Sequence, residues 1–267
     1  MCTMPRWDAG LYLRFAEERT QPARDLIARI AIGTPSRIVD LGCGPGNSTA
    51  MLRERWPGAE ITGLDNSPDM IAAARAASPE AAGAAHANVR WELADAATWT
   101  AAPPVDLVFS NAALQWVRHH DRVFPHLLSQ VRPGGALAVQ MPAHFESPLH
   151  RLILEIAEAP RWRDRTRGAS EVIWVGRPSY YYDILQPLAA RLEMWETEYQ
   201  HVLAGHAAIV DWIRGTGLRP FLEALASDAE RTDFEAALLD GVSRAYPLQR
   251  DGRVLFPFRR VFILAYA

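Results

Sequence analysis

The feature that most limits the possible folds is an alternation of short apolar runs with longer amphipathic stretches through the first half of the chain. Runs rich in β-branched residues occur at 37–41, 60–64, 89–94, 105–110 and 136–141, and these are the predicted strands. Helical patterns lie between them at 49–56, 68–77 and 121–131. Strands joined by crossover helices are typical of parallel sheets, so we expect an α/β fold with a doubly wound, mostly parallel, Rossmann-like sheet.

The second half of the chain loses this alternation after Pro142. Helical patterns occur at 149–158, 180–190, 208–213 and 220–225, and strand patterns at 193–202 and 254–266. We expect one domain over 1–267, with a helical cap formed by 143–190 and 205–250 and a helical lid over 1–30. A chain of 267 residues is long enough to bury a core of that size.

Composition excludes several classes of protein. The chain has no lysine, so all 28 basic residues are arginine, which excludes Schiff-base enzymes and the lysine-dependent phosphate loop. A formal net charge of -3 argues against a strongly basic nucleic-acid surface. Cys2 and Cys43 form neither a disulfide framework nor a metal cluster by their spacing, which suits a reducing compartment. With no visible signal peptide or membrane-length apolar run, we expect a cytoplasmic protein without nucleic-acid, membrane or metal partners.

A glycine-rich turn follows the first predicted strand. Residues 38–47 read IVDLGCGPGN, with Asp40 near the strand end and glycines at 42, 44 and 46. Gly42, Gly44 and Gly46 permit a tight turn and a close backbone approach, and the following helix offers free amide groups to a ligand. Many strand-to-helix turns need glycine, so this turn alone does not establish a cofactor site.

Two acidic residues near the following strands strengthen the cofactor interpretation. Asp65 ends the second predicted strand about twenty residues beyond the turn, where a carboxylate can accept both ribose hydroxyls. Asp95 follows the third strand. Either residue taken alone could be a helix cap. The combination with the glycine turn favours a nucleoside site.

Two other interpretations of this region can be weighed from the residues. A nicotinamide dehydrogenase would need G-x-G-x-x-G, with glycine at position 47, where this chain has Asn47. Cys43 is a conceivable nucleophile, but it stands between glycines without an evident base and is better read as a small packing residue. The run SNAALQW at 110–116 follows the fourth strand and would line the crevice at the strand ends.

Together these motifs resemble those of the class I methyltransferases. The resemblance implies a sheet whose last strand is antiparallel and S-adenosylmethionine as cofactor, with S-adenosylhomocysteine as product. It also implies that Met70 packs on the adenine and that Asp95 bonds its exocyclic amine near the Ala96 amide. We expect the helices that carry Trp7 and Tyr12 to close over the cofactor, the alternative being that these aromatic residues pack in the core of an N-terminal helix. The predicted cofactor residues are Trp7, Tyr12, Asp40, Gly42, Gly44, Gly46, Asn47, Asp65, Asn66, Met70, Asp95, Ala96, Asn111 and Trp116.

Longer stretches resemble one family more closely, the trans-aconitate methyltransferases. The matching segments are Trp7-Asp8, Tyr12, Phe15, Arg19, Pro22-Ala23, Asp25-Leu26, DLGCGPGNST, GLDNSPDM, SNAALQWV and WIRGTGLRPFL at 212–222. The resemblance runs through most of the chain and is least clear between 160 and 180. It implies methyl transfer to one carboxylate of a tricarboxylic acid. A carboxylate has a pKa of about 4 and is already ionised, so we expect positioning residues and no catalytic base.

A small polycarboxylate substrate requires fixed positive charge, and arginine pairs with carboxylates in bidentate fashion. The predicted substrate residues are Tyr12, Gln115, His144, Trp174, Arg177, Tyr181, Arg214 and Arg219. Each arginine could instead face solvent, as most of the 28 must.

Two further functions remain open from sequence. Nine tryptophans are compatible with an O- or N-methyltransferase for an apolar small molecule, and the cofactor site is compatible with an S-adenosylmethionine-binding protein without catalysis. Whether the protein is a monomer or a homodimer stays open.

Overall fold

A computed structural model describes residues 16–77, 88–143 and 146–267. Its strands are β1 (Arg37–Leu41), β2 (Glu60–Asp65), β3 (Val89–Leu93), β4 (Val105–Asn111), β5 (Val131–Pro142), β6 (Arg191–Leu203) and β7 (Val254–Tyr266). Its α-helices are α1 (Ala16–Arg29), α2 (Asn47–Arg55), α3 (Pro68–Ala77), α4 (His120–Ser129), α5 (Pro148–Ala157), α6 (Arg163–Thr166), α7 (Pro178–Leu185), α8 (His206–Arg214), α9 (Arg219–Ala224) and α10 (Asp228–Ala245). Short 3₁₀ turns cover Leu114–Trp116 and Ala169–Glu171.

The seven strands form one sheet in the order β3-β2-β1-β4-β5-β7-β6. The pairings among β1 to β5 are parallel, and β7 is antiparallel to both β5 and β6. This confirms the predicted Rossmann-like sheet with an antiparallel last strand. The strand order reverses between β1 and β4, and connections leave the sheet in opposite directions there. A crevice at the carboxyl ends of these two strands is therefore the expected ligand site.

Apolar side chains on the two faces of the sheet meet different helices. One face packs against α1 and α2 through residues such as Leu26, Leu52 and Phe109. The other packs against α4 and α7, where Phe124 and Tyr181 are fully buried. Both faces of the parallel strands are therefore covered, which explains why β4 is buried at every position except its last.

A third apolar cluster lies in the region predicted to form the cap. It brings together α5, α8, α9 and α10 with the adjoining ends of β6 and β7. Its fully or almost fully buried members include Ile153, Trp212, Phe234, Leu238 and Phe256. This cluster positions α9 and β7 beside the crevice, and both elements contribute side chains to the site described below.

The predicted elements differ from the observed ones mainly at their ends. Strand β5 begins at Val131, five residues before the predicted start, because Val131 pairs with Val105 ahead of an irregularity in the ladder. The preceding helix consequently ends at Ser129, not at 131. Helix α10, the longest described helix, was predicted only as part of a cap region, because its sequence mixes charged residues, alanines and Gly241 with few apolar positions.

None of the helices within the described ranges is both long enough and apolar enough to cross a membrane. Within the same ranges, no group of three or more histidine, cysteine or acidic side chains is arranged to hold a metal ion.

Candidate functional site

A cavity of about 360 Å³ opens where the carboxyl ends of β1, β2 and β4 meet. It is lined by the glycine turn after β1, the acidic residues after β2 and β3, and the 111–117 segment after β4. Residues predicted to hold the cofactor that line this cavity are Gly42, Gly44, Asn47, Asp65, Asn66, Met70, Asp95, Ala96, Asn111 and Trp116. The topology of the sheet thus brings together residues spread over about 75 positions of sequence.

The first position of the glycine turn requires glycine, because no side chain fits there. Gly42 has φ of 67°, and a Cβ there would lie 2.1 Å from the Cβ of Ala113. Gly44 has φ of 56° and lines the cavity, and apart from its chain neighbours no described residue has an atom within 4 Å of the position its Cβ would take. A ligand can therefore approach the backbone of Gly44 directly, as the sequence analysis expected.

Asp65 connects the glycine turn to the cavity. Its Oδ2 accepts a hydrogen bond from the Gly44 amide at 3.0 Å, and its Oδ1 accepts one from the Ser67 amide at 2.8 Å. Burial raises the pKa of Asp65, while these amide donors oppose that rise. A carboxylate offers about four lone-pair sites, so two amide donors leave acceptor capacity for a pair of ribose hydroxyls. The residue fits the predicted nucleoside.

Asp40 and Gly46 lie behind the cavity and do not line it, so the structure places these two predicted cofactor residues in supporting positions. Asp40 is fully buried and accepts hydrogen bonds from the Ser48 hydroxyl at 2.7 Å and the Thr49 hydroxyl at 2.6 Å. Burial raises the pKa of Asp40 to about 6, against the effect of these two donors. Gly46 is the N-cap of α2, where a Cβ would lie 2.7 Å from the Trp91 ring.

The third acidic residue, Asp95, lies at the cavity and within a local turn. Asp95 lines the cavity, and its Oδ1 also accepts a hydrogen bond from the Ala97 amide at 2.9 Å, which is a local turn contact. Met70 is buried on the same cavity wall. Their contacts with adenine remain a prediction.

Cys43 lines the cavity but is not suited to nucleophilic chemistry. Its side chain is buried, and burial raises its thiol pKa far above the usual value, with Asp40 and Asp65 adding to the rise. A thiol that stays protonated is a poor nucleophile. The interpretation of Cys43 as a packing residue therefore fits its surroundings.

Ala112 forms part of a wall between this cavity and a second one. It has φ of 53°, a left-handed conformation that is rare for a residue with a side chain. The Ala112 amide donates to the Gln140 carbonyl at 2.9 Å, and its carbonyl accepts from Gln115 Nε2 at 2.7 Å. Backbone strain of this kind is frequent at functional sites. Ala112 and Trp116 line both cavities.

The second cavity, of about 90 Å³, lies on the cap side of that wall. It is lined by Ala112, Gln115, Trp116, Pro142, His150, Ile153, Ala169, Ser170, Ile173, Trp212, Ile213, Thr216, Gly217, Phe221, Phe258 and Arg260. Gln115, one of the predicted substrate residues, is buried beside it, and its Oε1 has no hydrogen-bond partner among the described residues.

Arg260 was missed by the sequence analysis. It is 4% exposed on β7. The signal was present, since strand alternation puts position 260 on the same face as Phe256, Phe258 and Phe262, all of which are buried. An arginine in phase with three inward-facing aromatic residues is a candidate for a buried cation at a ligand site.

Of the three arginines predicted to bind substrate, only Arg219 lines the larger cavity, which we call the cofactor cavity after its predicted ligand. Its guanidinium lies 4.9 Å from the Trp116 ring centroid, and its Nε is 3.7 Å from Glu223 Oε1. Burial lowers the pKa of Arg219, which Glu223 partly offsets, but an arginine stays charged at neutral pH. A positive group at the wall between the two cavities can attract an anionic substrate.

The other arginines predicted to bind substrate lie elsewhere. Arg214 donates from Nε and Nη2 to Glu235 at 2.6 and 3.1 Å and from Nη1 to Asp211 at 2.6 Å, so it joins α8 to α10. Arg177 is the N-cap residue of α7, with its side chain 85% exposed and 3.3 Å from Glu146. Neither lines either cavity, which corrects the prediction for both.

Two predicted aromatic wall residues are also displaced from the cavities. Tyr181 is fully buried between α7 and α4, where its hydroxyl contacts His120 Nδ1 at 2.8 Å and accepts from the Gly176 amide at 3.0 Å. Trp174 packs against His120 and Tyr180. These tyrosine and tryptophan side chains stabilise the packing of α7. Trp7, Tyr12 and His144 lie outside the described residues.

The chain is similar in sequence to known methyltransferases. Residues 38–135 match a family model described as a methyltransferase domain. The chain is 48% identical over 262 residues to the trans-aconitate 2-methyltransferase of Azoarcus sp. (strain BH72), covering 98% of this chain and 99% of that protein. It is 47% identical over 263 residues to the protein of the same name from Methylobacterium nodulans, covering 98% of each.

Solved structures share the fold at lower identity. Geranyl diphosphate methyltransferase in complex with SAM is 19% identical, with a TM-score of 0.56 and coverage of 97% of this chain and 91% of that one. Haemonchus contortus phosphoethanolamine N-methyltransferase 2 in complex with S-adenosyl-L-methionine is 15% identical, with a TM-score of 0.54 and coverage of 92% of this chain and 52% of that one. At these identities the likeness concerns the fold alone.

Proposed function

Because this chain belongs to the trans-aconitate 2-methyltransferase family, we propose that it transfers the methyl group of S-adenosylmethionine to one carboxylate of trans-aconitate, giving a monomethyl ester. The observation that carries the proposal is the position of Arg219. Its guanidinium lies over Trp116, at the wall shared by the cofactor cavity and the second cavity.

The larger cavity is suited to S-adenosylmethionine by its shape and by its acceptor groups. Gly44 leaves its backbone open to the ligand, and Asp65 retains acceptor capacity for the ribose hydroxyls. Asp95 and Met70 line the part of the cavity assigned to adenine. Bound there, S-adenosylmethionine supplies an electrophilic methyl group on a positively charged sulfur.

The chain's own residues have only to place the attacking oxygen and keep water away. A substrate carboxylate is ionised near neutral pH, so no side chain has to remove a proton. Arg219 would hold one carboxylate by charge-assisted hydrogen bonds, and the Trp116 ring 4.9 Å away favours a cation at this position. We call the part of the larger cavity beside Trp116 the transfer region. It is lined there by Ala112, Ala113 and Leu114, which are small or apolar and so limit solvation of the carboxylate.

The direct test is incubation of the purified protein with methyl-labelled S-adenosylmethionine and a panel of small acids, amines and phenols. We expect label in base-labile methyl esters of trans-aconitate, with stoichiometric S-adenosylhomocysteine. Label confined to amines or phenols would contradict carboxyl transfer. Tight cofactor binding without turnover of any compound would instead indicate a non-catalytic binding protein.

The role of Arg219 can be tested with a matched pair of variants. We expect Arg219→Gln to raise the KM for trans-aconitate by roughly 10- to 100-fold, the effect of losing a charged hydrogen-bond partner, while the affinity for S-adenosylhomocysteine changes little. Arg177→Gln, whose side chain is 85% exposed, is the control and should leave KM unchanged. Equal effects of both substitutions would refute a specific role for Arg219.

A further inference from the structure

We infer that the second cavity is the subsite for the carboxylates that are not methylated, and that Arg260 is the residue that selects substrates carrying them. This rests on the proposed carboxyl transfer, because a subsite of this kind has meaning only if the substrate is a polycarboxylate. The cavity is adjacent to the transfer region, since Ala112 and Trp116 line both spaces.

The distribution of charge separates the two cavities. Of the described residues that line the larger cavity, three are acidic, Asp65, Asp69 and Asp95, and the basic Arg219 offsets only one of these charges. None of the described residues lining the second cavity is acidic, and it contains Arg260. A trianion is repelled by the first set of side chains and attracted by the second. The ends of the substrate that do not react are therefore favoured on the cap side of the wall.

Arg260 provides a fixed positive charge at low solvent exposure. Its guanidinium lies 4.7 Å from the Phe258 ring centroid, and Nη1 is 3.5 Å from the Oε1 of Gln140. An arginine keeps its charge in such surroundings, and a charge interacts more strongly where water is excluded. Its field already acts on a neighbour, because burial and then the charge of Arg260 lower the pKa of His201 to about 4.

The rest of the lining suits a short carbon skeleton that carries carboxylates. Apolar contacts come from residues such as Ile153, Ile213 and Phe221, and polar ones from Gln115, Ser170 and Thr216. The Oε1 of Gln115 is an acceptor and cannot bind a carboxylate oxygen. Its Nε2 and the hydroxyls of Ser170 and Thr216 can donate hydrogen bonds to carboxylate oxygens. His150 adds no charge at neutral pH, because burial lowers its pKa further below the usual 6.5.

The test couples removal of the arginine to removal of a substrate carboxylate. Initial rates are measured for wild type and Arg260→Gln with trans-aconitate and with each dicarboxylate analogue that lacks one of its carboxylates. In wild type, deleting the carboxylate that meets Arg260 should lower kcat/KM by about 10- to 100-fold. In Arg260→Gln, KM for trans-aconitate should rise by a similar factor, and the same deletion should then cost less than about threefold.

Two controls separate this effect from damage to the fold. Arg259→Gln changes the neighbouring arginine, which is exposed, and should behave as wild type. Calorimetric affinity for S-adenosylhomocysteine should be the same in all variants, because Arg260 does not line the cofactor cavity.

A surface substitution gives an independent test if Arg260→Gln does not fold. Ser170 lines the second cavity and is itself exposed, so Ser170→Asp places a negative charge there without burying it. It should raise KM for trans-aconitate well above the value for Ser170→Asn, which has nearly the same volume and no charge. Equal KM values for these two variants, or full discrimination between tri- and dicarboxylates in Arg260→Gln, would overturn the inference. Absence of acid methylation by wild type would instead overturn the proposed function.

Discussion

At the scale of single residues, one half-buried and one buried carboxylate, Asp65 and Asp106, hold backbone segments together across the sheet. Asp65 fixes the glycine turn to the end of β2 and faces the cofactor cavity with the same side chain. Asp106 accepts hydrogen bonds from the Ser36 amide and hydroxyl and from the Arg37 amide, joining β4 to the start of β1. Each carboxylate satisfies several donors at once, so its loss has consequences beyond one contact.

We expect Asp65→Asn to weaken binding of S-adenosylhomocysteine by roughly 10- to 100-fold, because an ionised acceptor of the ribose hydroxyls is lost. Calorimetry measures the change. Glu92→Gln is the matched control, since Glu92 is an exposed acid at the neighbouring position of β3. Unchanged affinity in Asp65→Asn would refute the assignment of this cavity to the cofactor.

The same site predicts a dependence of cofactor affinity on pH. Burial raises the pKa of Asp40 to about 6 and also raises that of Asp65, so both carboxyls gain protons at a higher pH than usual. As pH falls into the range where Asp65 becomes protonated, its ionised acceptor is lost and affinity for S-adenosylhomocysteine should fall. The decline should be smaller in Asp65→Asn, whose side chain cannot titrate. An affinity that is flat between about pH 5 and 8 in wild type would contradict this prediction.

Asp106→Asn should lower the free energy of unfolding by about 3 kcal/mol at neutral pH, because two partly buried amides and a hydroxyl lose a charged acceptor. Burial raises the pKa of Asp106, but its hydrogen bonds outweigh that effect and hold the pKa below the usual 3.8. Stability from Asp106 is therefore present above about pH 4 and is lost as pH falls through its lower folded pKa. Urea unfolding measures both effects. Ser36→Ala, which removes one bond, should cost only about 1 kcal/mol.

At the scale of elements, the site depends on strand β7 and helix α9. Each of them contributes a side chain to a cavity and also packs in the third apolar cluster. Strand β7 pairs with β5 in the sheet, and its N-terminal half contributes Phe256 and Phe258 to the third apolar cluster, which we call the cap cluster. Helix α9 packs in the same cluster and begins with Arg219 at the cofactor cavity. The placement of both arginines assigned to substrate therefore depends on the packing of the cap helices, of which α10 is the longest.

The capping of α10 gives a test at this scale. Ser227 is its N-cap, and the Ser227 hydroxyl accepts a hydrogen bond from the Glu230 amide at 3.2 Å. Ser227→Ala should lower the free energy of unfolding by about 1 kcal/mol. Ser243→Ala, within the same helix and exposed, should change it by less than about 0.5 kcal/mol. A loss in Ser243→Ala as large as that in Ser227→Ala would show that the cap is not responsible.

At the scale of the whole molecule, the cofactor cavity draws on β1, β2, β4 and the cap helix α9, so ligand binding should stabilise the sheet and the cap together. At a free concentration 100 times its dissociation constant, S-adenosylhomocysteine should add about 2.7 kcal/mol to the free energy of unfolding. Calorimetric Tm should then rise by roughly 5 to 10 °C. Asp65→Asn at the same ligand concentration should show a smaller rise, and an unchanged Tm in wild type would contradict the assigned site.

The sheet and the nucleoside site were predictable from sequence because the signals are local. Strand β1 and helix α3 have the predicted bounds, and Gly42, Gly44 and Asp65 lie at one cavity as expected. Parallel strands bring their carboxyl ends to one edge, so motifs that follow successive strands meet there. Helix α10 was not predicted as a helix, because its few buried residues are mixed with charged ones. Packing against other elements, and not a periodic apolar pattern, fixes its position.

The sequence by itself determined the sheet, the glycine turn and the acidic residues beside it. The pattern of burial along a strand and the conformation of a turn depend on residues that are close together in the sequence. Only the tertiary structure decided which arginines line the two cavities. Arg214 pairs with Glu235, and Arg260 lines the second cavity, because the fold brings distant segments of the chain into contact. A long charged side chain takes its function from the groups that the fold brings to its end, and those groups are not its sequence neighbours.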